Sequence, residues 1–306
     1  MANTAVDYSK ANEMTIQDRC VVLSVEFRTY GTSRKLNMDK IETDADKNRI
    51  HATKHILDSD NMEAIHKVFR KTYAWLWTKC LPAPLRAGMY LLPVELIEEV
   101  DAKLKQTEEE IKPFIEALKE ELPTLMETDR RQLKSQFNED DYPTEKEIDD
   151  AFYIESRYID FKVPDKLKTI TGRMYAREIE KDKKAWEEAA EDVKAFLRKT
   201  MNDFIEQFAG QLKIEKTKKG EKRGRIYDST IDNLKQFAED FSSRNLANDS
   251  ALMKLVAKVK VAIDGIDADT LREDDRLRSR LAETMEKVKD EMSNLMKRPV
   301  RAIELE

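Results

Sequence analysis

Between Cys20 and Tyr30 the apolar positions alternate. Val21, Leu23, Val25 and Phe27 fall on one side, and Ser24, Glu26 and Arg28 on the other, the period of two expected of a half-buried strand. Gly31 to Arg34 breaks it. From Asn61 the period becomes helical, with Met62, Ile65, Phe69, Tyr73 and Leu76 on one stripe and Trp75 and Trp77 near its end. The two tryptophans are two positions apart and cannot share a helix face, so at least one packs against the strands or a partner. "LPAPLRAG" stops the helix, because Pro82 and Pro84 lack backbone donors and Gly88 loosens the chain. "MYLLP" then reads as a second short strand beside the first.

The periodicity lengthens after that. Ile97, Val100, Leu104, Ile111, Phe114, Leu118, Leu122 and Leu125 follow steps of three, four and seven, a heptad-like seam of a long helix. Pro113 and Pro123 lie inside it and are expected to bend or interrupt it. "AFYIESRYIDFKVP" alternates again, with Tyr153, Glu155, Arg157, Ile159 and Phe161 against Ile154, Ser156 and Tyr158, and reads as a return strand ended by Pro164. A second long helix carries Ile179, Trp186, Val193, Leu197, Met201, Phe204, Phe208 and Leu212. In "DSTIDNL", Ser229 with Asp232 three residues on reads as a helix cap before the stripe Ile231, Leu234, Phe237 and Phe241. "ALMKLVAKVKVAI" and the seam Leu281, Met285, Val288, Met292 and Leu295 supply two more helices.

These patterns predict a mainly α protein, an elongated helical bundle with long antiparallel coiled-coil-like helices plus a small mixed α/β head. The expected organisation is a polar arm over 1–14, the head over 15–93 with its return strand at 152–163, and a long kinked helix region over 94–151. A helical bundle follows over 164–298, and a tail over 299–306.

Charge changes the picture at one place. The chain has 306 residues and a net charge of −6, yet "KIEKTKKGEKRGRI", residues 213–226, carries seven Lys or Arg against two Glu. It lies between two helices that are each apolar on one stripe, so it is expected at the tip of a helical hairpin. Leu212, Ile214 and Ile226 allow a small β-turned ribbon around Gly220. Three readings of Lys213, Lys216, Lys218, Lys219, Lys222, Arg223 and Arg225 stand side by side: a solvated turn, a docking surface for an acidic protein, and a phosphate-tracking contact. Only Tyr227 is near enough to stack on a base, so any nucleic-acid binding would be sequence-tolerant.

Composition excludes more than it suggests. With 40% hydrophobic and 38% charged residues, the balance favours long helices over a thick core, and seven Gly and eight Pro disfavour sandwiches, barrels and Gly-rich nucleotide folds. Cys20 and Cys80 form no disulfide framework, and no GxSxG or GxxxxGK[ST] is present. His51 and His55 would share a face on a helix, with His66 further on and Asp58 and Asp60 nearby, but without the Glu of a metalloprotease motif they are weak evidence for a zinc or iron site. No catalytic residue, cofactor or metal is therefore expected. The opening residues are polar and mixed in charge, and no uncharged run approaches the roughly 18 residues of a membrane span. A cytoplasmic protein without membrane contact is expected.

"VVLSVEFRTYGTSRKL", "ILDSDNMEAIHKVFRKTYAWL", "LRAGMYLLPVELIEEVDAKL" and "AFYIESRYIDFKVP" together resemble a family of bacterial, plasmid and phage proteins known only as a domain of unknown function. The positions that carry the likeness are Arg34, Lys35 and Leu36, and Ala87 to Pro93; it covers most of residues 20 to 165, with a looser match through "RGRIYDSTIDNL". Members of that family are often encoded near a MoxR-type AAA+ ATPase and a von Willebrand factor A protein. The resemblance implies an adaptor or substrate-presenting scaffold for such an ATPase and supplies no active site. Ala87 stands where a second glycine is expected, and His55 where Lys is commoner. The functional expectation is a non-enzymatic, self-associating interaction protein that docks through the basic tip, with DNA or RNA binding through that tip as the alternative.

Overall fold

A computed structural model describes residues 15–83, 88–160, 163, 166–217 and 220–297. The expectations for the arm over 1–14, Pro84, Ala87, Phe161, Pro164, Lys218, Lys219 and the tail over 299–306 lie outside the described residues. The chain is mainly helical with a small antiparallel sheet.

It opens with α1 (Ile16–Arg19), β1 (Cys20–Arg28), β2 (Ser33–Lys35), β3 (Thr53–His55) and α2 (Asp60–Lys79). Next come β4 (Leu81–Pro82), β5 (Met89–Pro93), α3 (Ile97–Leu133), α4 (Glu145–Ala151), β6 (Tyr153–Ile159) and α5 (Lys166–Ile170). The remainder is α6 (Gly172–Leu212), β7 (Ile214–Thr217), β8 (Gly220–Arg223), α7 (Asp228–Arg244), α8 (Ser250–Ile263), α9 (Ala268–Glu273) and α10 (Asp275–Lys297). A four-stranded sheet has the order β4-β5-β1-β6, and β2 with β3 and β7 with β8 form separate antiparallel pairs. Gly88, at φ 80°, supplies the left-handed turn that leads into β5. The chain divides into two compact units, one of Met1–Leu23, Thr78–Leu96 and Tyr158–Glu306, the other of Ser24–Trp77 and Ile97–Arg157.

In the first unit, α6 packs on α7 and α10, and α8 packs on α7 and α10. The more extensive partner of α6 is α10 rather than its hairpin neighbour α7. The reason is in the seams. Val193, Leu197, Met201, Phe208 and Leu212 of α6 are buried, as are Leu281, Met285, Val288, Met292 and Leu295 of α10, so two heptad stripes cover each other. Further along α6 the stripe ends differently from expectation: Ile179 is exposed and Trp186 half-buried, while Ala189 and Ile205 are buried. Cys20 and Val22 are buried in the same core, so the first half of β1 is not the half-buried strand of the alternation. Helix α9, capped by Asp267 through the Thr270 amide at 2.7 Å, is an additional element between α8 and α10.

In the second unit, α3 runs through Pro113 and Pro123 without interruption. Both prolines lie on its exposed side. The seam keeps Val100, Leu104, Ile111, Leu118 and Leu122, but Ile115 is buried instead of Phe114, and Thr107 fills the gap between Leu104 and Ile111. Its hydroxyl lies 2.8 Å from that of Thr72 on α2 and donates to the Lys103 carbonyl, so a polar pair sits in the seam with its hydrogen bonds made. Tyr73, placed on the core stripe by its spacing, is 47% exposed and lies edge-on to Trp77, which like Trp75 is half-buried. Among the described residues no helix is long and apolar enough to cross a membrane.

Candidate functional site

Residues 213–226 form a two-stranded antiparallel ribbon with a closed base. The register sets Ile214 opposite Arg223, Glu215 opposite Lys222, Lys216 opposite Glu221 and Thr217 opposite Gly220. Each strand lysine therefore has a glutamate as its Cα partner. At the other end the Gly224 amide donates to the Lys213 carbonyl at 3.0 Å and continues the ladder past β8. Gly224 has no room for a side chain: a Cβ there would lie 2.4 Å from the Gln211 carbonyl oxygen and 2.9 Å from that of Gly210.

The base is held from below by Arg278. It occupies the position three before Leu281, the next core place of the α10 seam, and is only 3% exposed. Its Nε donates to the Leu212 carbonyl at 3.0 Å, and its Nη2 to Gln211 at 2.7 Å, Lys213 at 3.4 Å and Gly224 at 2.6 Å. One guanidinium thus satisfies the last carbonyls of α6 and both ends of the ribbon, with its positive charge at the negative end of the helix dipole. Burial first, and the nearby Arg223 charge second, pull Arg278 below the usual arginine range, against the opposing pull of Asp275.

The remaining contacts fix the chain on either side. Gln211 donates to the Thr230 hydroxyl at 2.8 Å and accepts the Tyr227 amide at 3.3 Å. Arg272 donates to the Ile226 carbonyl at 2.9 Å and pairs with Asp228 at 3.0 Å. Helix α7 begins at Asp228 with Tyr227 as its cap residue and no side-chain capping bond, so Ser229 lies inside the helix rather than capping it.

The expected site residues separate by position. Lys213 follows the end of α6 and pairs with Glu286 at 3.3 Å; Arg223 ends β8 and pairs with Asp275 at 2.8 Å. Both pairs are solvent-exposed and add little stability. Lys216 and Lys222 are strand positions, and Arg225 lies past the base with its guanidinium 5.1 Å from the centre of the Tyr227 ring. Arg272 and Arg278 were not among the expected residues. The signal for Arg278 is the heptad step back from Leu281; for Arg272 the spacing holds none.

The other candidate chemistry does not assemble. His55 lies in β3, so His51 and His55 are not on one helix face, and His66 is on α2. Among the described residues no group of three or more His, Cys, Asp or Glu is placed to hold a metal. Burial pushes both thiols up to about 12 against the opposing charges of Arg19 and Arg244, so Cys20 and Cys80 stay protonated near neutral pH and are poor nucleophiles.

Gly224→Ala tests the closed base. The Cβ meets backbone, which cannot rotate away, and the expected cost is about 1–3 kcal/mol in urea denaturation. An alanine tolerated without measurable loss would show that the ribbon does not approach α6 this closely. No family model, curated protein or solved structure matches this chain.

Proposed function

We propose that the protein is a non-enzymatic helical interaction protein whose ribbon over residues 213–226 docks on an acidic surface of a protein partner. What supports this reading is the closed base of the ribbon, with Arg278 donating to four carbonyls around it. A solvated turn does not require a buried guanidinium in a heptad seam. Held at its base, the ribbon carries Lys216 and Lys222 on strands whose backbone pairing is already made in the free protein, and Lys218 and Lys219 fall between them in the sequence. In this reading the coiled-coil-like pairing of α6 and α10 is the scaffold, the protein self-associates, and it works in the cytoplasm. Following the resemblance, its partner is a MoxR-type AAA+ ATPase in a phage or plasmid setting.

The test is affinity purification from host lysate, comparing the wild type with a Lys218→Glu, Lys219→Glu, Lys222→Glu variant, each split into nuclease-treated and untreated halves. Arg223 is left in place because it pairs with Asp275 at the base. A protein partner that survives nuclease on the wild type and falls at least tenfold on the variant is the expected result. Material stripped by nuclease alone would move the protein to nucleic-acid handling, and identical partners on both would remove the ribbon from the account.

A further inference from the structure

Beside the ribbon base a pocket of about 400 Å³ is lined by four guanidiniums, those of Arg223, Arg225, Arg272 and Arg278, together with Tyr227 and Asp228. The carboxylates facing them are unevenly shared. Asp275 pairs with Arg223, and Asp228 and Asp269 both pair with Arg272 at 3.0 and 2.5 Å. Arg225 makes no ion pair among the described residues and lies over the Tyr227 ring. Arg278 makes none either among the described residues: its Nε and Nη2 serve backbone carbonyls, and the Asp275 carboxylate acts on it only through its charge. Four guanidiniums thus face three carboxylates, and the pocket wall keeps a net positive charge. The start of α7, where Tyr227 makes no side-chain capping bond, adds the positive end of a 17-residue helix beside them.

We infer that this pocket binds the phosphate group of a small phosphorylated ligand. A net positive wall of guanidiniums attracts an anion, and a phosphate monoester carries about −1.5 to −2 at neutral pH with oxygens that accept from arginine in pairs. A carboxylate offers these forks two acceptor oxygens where a phosphate offers three. The pocket volume lies within the roughly 300–1,000 Å³ usual for small-molecule sites, so a phosphorylated metabolite of nucleotide size fits. Burial is the larger cause of the depression of Arg278 and the Arg223 charge the second, and a bound anion relieves the part due to Arg223. The pocket lies at the base of the ribbon, and this inference stands whether or not the tip docks a protein.

The experiment is calorimetric titration of the full chain with inorganic pyrophosphate and with inorganic phosphate, at ionic strength held constant with sodium chloride, alongside thermal unfolding in the same buffers. Saturable binding is expected, with a rise in the unfolding temperature that chloride does not reproduce. Arg225→Gln, an exposed position outside the carbonyl clamp, is expected to weaken pyrophosphate binding at least tenfold while the ligand-free unfolding temperature stays unchanged. Lys218→Glu with Lys219→Glu is expected to leave it intact, which separates this site from the docking tip. No saturable binding, equal binding by Arg225→Gln, loss of binding in the tip variant, or binding of a single-stranded oligonucleotide without pyrophosphate would each overturn the inference.

Discussion

Arg278→Ala is expected to destabilise the first unit by about 3–5 kcal/mol in urea denaturation. The side chain donates to the carbonyls of Gln211, Leu212, Lys213 and Gly224, and its removal leaves them around a cavity in a heptad seam. A buried acceptor left unsatisfied costs about 1–3 kcal/mol, and water entering the cavity recovers only part of the total. Arg278→Lys is expected to restore less than half of the loss, because an ammonium has the charge but not the planar fork that reaches carbonyls on two sides. Trypsin adds a local readout. With the clamp gone, cleavage within residues 213–225 should accelerate by more than the global loss alone predicts. A loss under about 1 kcal/mol with unchanged cleavage would show that the base is held by the backbone ladder and not by Arg278.

The elements that alternation and heptads foretold are those whose apolar stripe is covered along its whole length. The α10 seam from Leu281 to Leu295 is buried residue for residue, because α6 and α8 both pack on this helix. Where both faces of a strand are covered the pattern misleads. In β1, Cys20 and Val22 are buried as well as Leu23 and Val25, and a strand covered on both faces loses its period of two. Thr107 escaped a hydrophobic reading because its burial depends on the Thr72 hydroxyl, which no spacing reveals. The prolines of α3 misled in the opposite direction: proline removes a backbone donor and crowds the carbonyl four residues back, yet at these two exposed positions the helix continues through both.

Half of the candidate site was legible for a similar reason. The ribbon over 214–223 is a local structure, and Gly220 between short β-capable runs announced it. Its clamp is not local: Arg278 stands 66 residues from Leu212, and only the folded bundle brings a seam arginine to the end of another helix. Charge density alone marked Lys213 and Arg223 as free probes, whereas both have acidic partners on α10. Among the expected site residues whose side chains are described, Arg225 remains without an ion pair.

In the second unit, Asp141→Ala is expected to cost about 3–5 kcal/mol, whereas adding Lys54→Met to it should recover a large part of that loss. Lys54 is 6% exposed, pairs with the Asp141 carboxylate at 2.6 Å and also donates to the Gln136 carbonyl, tying β3 to the segment after α3. Removing the carboxylate alone strands a buried ammonium, the costly case, while replacing the pair by apolar groups gives up an interaction that had to offset its own desolvation. The Asp141 carbonyl accepts from the Arg34 Nε and the Tyr30 hydroxyl, each at 3.2 Å, and these backbone contacts persist in both variants, which confines the difference to the carboxylate. Urea unfolding followed through the emission of Trp75 and Trp77, in a Trp186→Phe background that silences the first unit's tryptophan, measures the cycle. A coupling of about 2 kcal/mol or more is expected; additive losses within about 0.5 kcal/mol would mean that Lys54 reaches water once its partner is gone, and that the pair is not what fixes this segment.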